Sequence, residues 1–169
     1  MSDSPIKCAS KEFKAEPFYI LQRNGNDTRY VASWQDKQRI KSFLLYFINA
    51  SSHDFQIKIR DHDHPELKEF YGIVGMQQLI ETLDLYEDVI FHDGFHELII
   101  RRSDGEYLAF DEHGLLFIYT GNDYSLVFDK LNLPLKSHEK LIYEFNHWHI
   151  QSSNGKEDLK RLIKHLHLK

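Results

Sequence analysis

The densest chemistry along the chain is Asp61-His62-Asp63-His64. On an extended chain, side chains two apart point to the same side, so His62 and His64 would offer two imidazoles to one divalent ion. Asp61 and Asp63 stand where they would add a ligand or orient the rings. A tetrahedral site needs a third protein ligand, and His92 and His96 are the nearest suppliers. The stretch His92-Asp93-Gly94-Phe95-His96-Glu97 is the second candidate, since a histidine beside carboxylates suits general-base work when it titrates near the working pH. Each stretch also has a plainer explanation. The first is a polar turn ahead of Pro65. The second is a turn between strands, without the helix on which a zinc-protease His-Glu motif aims two histidines at one ion. These residues admit a metal-dependent enzyme using His62, His64, His92 and His96. They favour a protein with no catalytic residue, no metal and no cofactor.

Other signatures are missing from the sequence. Neither Gly-x-Ser-x-Gly, a phosphate-cradling Gly-rich loop, nor a dinucleotide fingerprint occurs. Cys8 is the only cysteine, which excludes an intrachain disulfide and a thiolate zinc site and predicts a reducing compartment. Residues 1–14 are polar, without the apolar core of a secretory leader. The longest apolar runs are five or six residues, far from the roughly 20 that span a bilayer. The expectation is a cytoplasmic protein away from membranes. Lys156, Lys160, Arg161 and Lys164 make one basic helix, but Glu157 and Asp158 dilute it, so nucleic acid is not the expected partner.

The elements that must position these residues follow from periodicity. With 169 residues, 41% of them hydrophobic and 28% charged, the chain fits one domain with a sizeable core. Residues 1–16 lack an apolar period and read as a loose arm, leaving 17–169 as the domain. Runs at 18–22 and 28–34 flank Asn24-Gly25-Asn26-Asp27 as a hairpin. Asp36 caps a helix over 37–50, in which Ile40, Phe43, Leu44, Phe47 and Ile48 share one face. Phe55, Ile57 and Ile59 alternate as a strand. A second helix begins near Gly75. The runs 88–91, 97–102, 106–110 and 115–119 form a meander, its turns ending in Gly94, Gly105 and Gly114. Helices follow over 123–131, 137–149 and from 153 onward. In the helix at 137–149, His147 and His149 flank a core Trp148. The reading is α+β, an antiparallel sheet of five to seven strands packed with four to five helices. Residues 20–23 and 99–102 resemble each other ahead of their turns, a likeness that chance between hairpins explains.

Charge is unevenly spread. The chain carries −5 overall, yet residues 84–129 alone carry −9. The acids of this segment gather at the predicted turns and alternate with aromatics. An acidic face of that kind repels nucleic acid and attracts basic partners. Asp93, Asp111, Glu112 and Asp123, with Tyr86, Phe95 and Tyr124, are the candidate contacts because turns would expose them. The same acids would equally serve to keep a sheet surface soluble and its edges unpaired.

The segment 84–119 resembles immunity proteins of bacterial contact-dependent growth inhibition and related polymorphic toxin systems. The resemblance rests on Leu85-Tyr86-Glu87-Asp88, Phe91-His92-Asp93-Gly94 and Asp111-Glu112-His113-Gly114-Leu115-Leu116-Phe117-Ile118-Tyr119. It covers about a fifth of the chain and contains no family-defining motif. It implies a small protein that binds one toxin domain, often a basic nuclease, and blocks it by occlusion. A protein-interaction adaptor with some other partner is the remaining alternative.

Overall fold

The structure is a computed structural model, and it describes residues 6–13, 16–25, 27–63, 66–137 and 139–169. Asp36 ends the first hairpin and starts a helix, as its carboxylate accepts hydrogen bonds from the Gln38 and Arg39 amides. That helix, α1 (Lys37–Asn49), buries the five apolar residues expected of it. Its C-terminal carbonyls at Phe47 and Ala50 accept from the buried Arg102 guanidinium, which suits the negative end of the helix dipole.

Two small strands, β1 (Cys8–Ala9) and β9 (Trp148–His149), pair antiparallel. The main sheet has seven antiparallel strands: β2 (Phe18–Asn24), β3 (Asp27–Ser33), β4 (Phe55–Asp61), β5 (Lys68–Val74), β6 (His96–Arg101), β7 (Tyr107–Phe110) and β8 (Leu116–Tyr119). Their order across the sheet is β2-β3-β8-β7-β6-β4-β5, so α1 carries the chain over three strands between β3 and β4. The remaining helices are α2 (Met76–Leu85), α3 (Ser125–Lys130) and α4 (Gly155–His165). This is the α+β fold expected, with an antiparallel sheet and four α-helices.

All four helices pack on one face of the sheet. Phe43 and Phe128 stack at 5.3 Å between ring centres, and Trp34, Tyr30, Tyr19 and Tyr124 close around Phe128. Among the described residues, further chain packs on the opposite face over β2, β3 and β8, where Leu141, Ile142, Cys8 and Phe13 meet Phe18, Ile20, Val31 and Phe117; Ile99 and Ala109, on the same face of β6 and β7, are buried as well. Both sheet edges are capped. Tyr71 of β5 exchanges two hydrogen bonds with Lys169, and Tyr19 of β2 bonds Pro134 and Lys136. Gly72 permits the first contact, since a Cβ there would meet Leu168 Cδ2 at 2.6 Å.

Five local readings are corrected. Residues 88–91 are not a strand: the Ile90 amide bonds the Tyr86 carbonyl, and Asp88–His92 continues α2 as a π-helical turn that buries Val89, Ile90 and Phe91 in succession. Both sides of β6 are already taken by β4 and β7, so no strand position was open. Residues 137–149 are not a helix: a short turn at Ile142–Glu144 and then β9 replace it. Trp148 is half exposed rather than core. The strand β5 was missed. Residues 6–9 are no loose arm either, because Ile6, Lys7 and Cys8 are buried and β1 pairs with β9.

Candidate functional site

β4 ends, β6 begins and the β7–β8 turn closes at one corner of the sheet, and β9 lies beside them. Sequence-distant titratable groups meet there. Asp111 opens the turn: its Oδ1 accepts from the His113 and Leu115 amides at 3.0 and 2.7 Å. Its Oδ2 accepts from His113 Nδ1 at 3.0 Å. The carboxylate is buried, which pushes its pKa up against the pull of His113. Burial pushes His113 the other way, yet the Asp111 hydrogen bond and the Asp111 and Glu112 charges raise its pKa on balance. His147 donates from Nδ1 to the Phe145 carbonyl at 2.8 Å. The His113, His147 and His149 rings stand within 5.0 to 5.4 Å of one another. Burial, then the His113 charge, lower the His149 pKa.

Beside this trio, His62 Nε2 lies 3.9 Å from Glu97 and 3.7 Å from Glu112, ion-pair rather than hydrogen-bond separations. The Glu97 carboxylate, then Glu112, hold the His62 pKa up. Below the surface, the Lys7 ammonium donates to the His96 carbonyl at 2.7 Å and sits 4.2 Å from the Phe110 ring centre. Burial brings its pKa down to about 8, although Asp111, Glu112, Asp93 and Glu97 oppose the fall. Burial likewise pushes the Cys8 thiol up to about 11, which excludes it as a nucleophile at neutral pH.

The open half of the second sheet face runs from this corner across β7, β6, β4 and β5. Cross-strand partners share a face, so the pairs Tyr107–Tyr119, Arg101–Tyr107, Lys58–Tyr71, Arg60–Glu69 and Gln56–Ile73 all lie on it. Ile73 is 72% exposed, Tyr71 48% and Tyr119 39%. Lys58, Arg60, Glu69 and the neighbouring Arg29 are held in place. Arg60 bridges Glu69 at 2.7 Å and Glu97 at 3.0 Å. Lys58 lies 4.8 Å from the Tyr71 ring centre, and Arg29 donates to the Tyr119 hydroxyl. The Tyr71 hydroxyl, then Arg60, hold the Glu69 carboxyl down to about 2.

The predicted contacts fare unequally. Asp93, at 1% exposure, is internal. Its carboxylate accepts from the Phe95 amide and from the Ser152 amide and hydroxyl, tying the β6 entry to the start of α4. Asp111 and Tyr124 are buried too, and Tyr124 donates to the buried Glu106 at 2.9 Å. The expectation that turns expose these three is therefore corrected: the Asp93 and Asp111 carboxylates close their own turns, and Tyr124 packs against Phe43 and Phe128. Asp123 is exposed, accepting from the Ser125 amide and the Tyr30 hydroxyl, while Glu112, Tyr86 and Phe95 are half-buried. With Glu97 and Glu106 also buried, much of the acidic segment is no surface field.

The four-histidine metal set is not assembled. His64 lies outside the described residues. His92 sits among the charges of Lys37, Asp88 and Glu87. His96 is enclosed between Asp93 and Asp61, at 3.1 and 3.6 Å. Among the described residues, the groups able to hold an ion contain neither His92 nor His96; they comprise His113, His147 and His149, or combine Glu112 with His62 and Glu97 or with Asp111 and His113. The pattern His147-Trp148-His149 carried the signal, two imidazoles two apart on a strand, but a helical reading of 137–149 concealed it. No helix of the described residues is long and apolar enough to cross a membrane. Set beside protein-family models, curated proteins and solved structures, the chain matches none.

Proposed function

We propose that this chain is a binding protein whose recognition surface is the open half of the second sheet face, and that its partner is a toxin domain which it neutralises by occlusion. One observation carries the choice of surface: Tyr71 and Ile73 on β5 and Tyr119 on β8 are exposed on one sheet face, flanked by charges that are paired or stacked. Tyrosine and arginine dominate the energetic centres of protein interfaces. Side chains held by their neighbours lose little rotamer freedom on docking. The partner class follows the resemblance of residues 84–119, which supply β6, β7 and β8 at the middle of the sheet.

The test compares the wild-type chain with Ile73→Glu and Tyr119→Ala as immobilised baits in the lysate of the source cell. The reading expects one protein retained at one-to-one stoichiometry by wild type, lost from both variants, and inactivated when bound. Equal retention by folded variants refutes the surface, and an unaffected activity in the retained protein refutes immunity.

A further inference from the structure

From the corner geometry we infer a binding site for one divalent transition-metal ion of the zinc class, with His113, His147 and His149 as its three protein ligands. The site is independent of the sheet-face reading. The three residues offer ligand atoms that all lie within 4.8 Å of one another. Their ring centres are 5.0, 5.1 and 5.4 Å apart. A tetrahedral zinc ion about 2.0–2.1 Å from each imidazole nitrogen requires ring centres roughly 5 Å apart. The rings thus stand at the separation that a metal imposes.

The surroundings are those of a ligand shell. His113 donates from Nδ1 to Asp111, itself held by two backbone amides. His147 donates from Nδ1 to the Phe145 carbonyl. Each bond fixes the tautomer that leaves Nε2 with its lone pair free, as a carboxylate or a carbonyl does behind metal-bound histidines. A second, independent observation is Nδ1 of His149, a buried nitrogen without a well-formed hydrogen bond, although the Gly94 and Glu112 carbonyls lie beside the ring. Buried polar atoms are rarely left so. The elements also fit the task. His113 lies in the turn after β7, and His147 and His149 come from the segment paired with β1. An ion would therefore pin the β1–β9 ribbon to the main sheet. Three imidazole ligands favour zinc, cobalt or nickel over the oxygen-seeking magnesium and calcium, and they leave a fourth position for water.

The experiment uses the full chain without an affinity tag, stripped with chelator and titrated calorimetrically with zinc chloride. A parallel titration with cobalt(II) reports coordination through its visible spectrum. The expected result is one ion per chain with Kd below about 10 µM and a four-coordinate cobalt spectrum. His147→Ala and His149→Ala should each weaken binding at least tenfold, while His53→Ala leaves it unchanged. Metal-free urea unfolding of each variant establishes that it folds, and Asp111→Asn, which keeps all three ligands, should weaken binding by a smaller factor. Kd above about 10 µM for wild type, or wild-type affinity in a folded His147→Ala/His149→Ala double variant, overturns the site.

Discussion

Lys7 offers the sharpest test of the corner's electrostatics. Its ammonium is buried, and its pKa falls from 10.5 to about 8. In the unfolded chain the same group titrates near its ordinary value. Between those two values the unfolded chain holds a proton that the folded chain has released, so stability rises with pH across the window. Each unit of difference is worth 1.36 kcal/mol, so a fully charged Lys7 costs the fold about 3 kcal/mol at pH 7. About 2 kcal/mol of that returns between pH 8 and pH 10. Urea unfolding of wild type and Lys7→Met, followed by tryptophan fluorescence at pH 7, 8, 9 and 10, isolates the effect. Tyrosines whose pKa burial raises, Tyr107 and Tyr124 among them, titrate in both proteins and cancel in the difference. Wild type should gain on the variant by about 2 kcal/mol from pH 8 to pH 10. Parallel stability curves would refute the depressed Lys7 pKa and, with it, the dry packing of residues 6–9 beneath the corner.

Asp93→Ala should cost about 2–4 kcal/mol, because it leaves the Phe95 and Ser152 amides without their acceptor. Wild-type Asp93 has a lowered folded pKa, its burial outweighed by His96 and the backbone donors. Its contribution is therefore present above about pH 4 and lost as pH falls through the folded value, which acid unfolding of the pair would read. Phe128→Ala should cost about 3–5 kcal/mol in urea unfolding, since Phe128 meets Tyr19, Tyr30, Trp34 and Phe43 at the centre of the core. Gly94→Ala would drive a Cβ into the Lys7 carbonyl oxygen and should destabilise by about 1–3 kcal/mol. Hydrogen exchange at Cys8 and at Ile150, whose amide bonds that carbonyl, should then quicken ahead of exchange in β6.

Much of the fold was readable where one periodicity dominated. The 3.6-residue stripe of α1, the alternation of β4 and the turns at Gly105 and Gly114 had no competing interpretation. Reading failed where pattern and context diverged. Val89, Ile90 and Phe91 are three consecutive apolar residues, which suit a buried strand, yet the chain turns helical again at Glu87 and both sides of β6 are taken. Leu141, Ile142, Phe145 and Trp148 fit a helical stripe, but Leu141 and Ile142 are buried by lying flat on the second sheet face. In β5, Gly72 and the exposed Tyr71 and Ile73 blur the alternation, because one side packs the C-terminal tail and the other is open. The corner was less readable than the fold. Its parts come from residues 7, 62, 97, 111–113 and 147–149, and only the sheet register brings them together. Local turn chemistry marked Asp93 and Asp111 correctly as turn residues, but could not tell an outward carboxylate from one that accepts its own turn's amides.

The capped edges decide which kind of recognition the sheet can support. A partner that adds a strand needs a row of free backbone amides and carbonyls along an edge. On β5 the Tyr71 amide and carbonyl are both taken by Lys169, and on β2 those of Tyr19 are taken by Lys136 and Pro134. Strand addition would have to displace part of the C-terminal tail or the segment after α3, whose Leu133 and Leu166 are buried in the core. The open face carries no such obstacle. Its backbone groups are already paired across β7, β6, β4 and β5, so contact there is made by side chains alone. Side-chain contact of this kind would draw its affinity from Tyr71, Ile73 and Tyr119 and its specificity from the Arg60–Glu69–Glu97 bridge. A substitution in the bridge that leaves the exposed residues intact should therefore change which partner is chosen more than how well the protein folds.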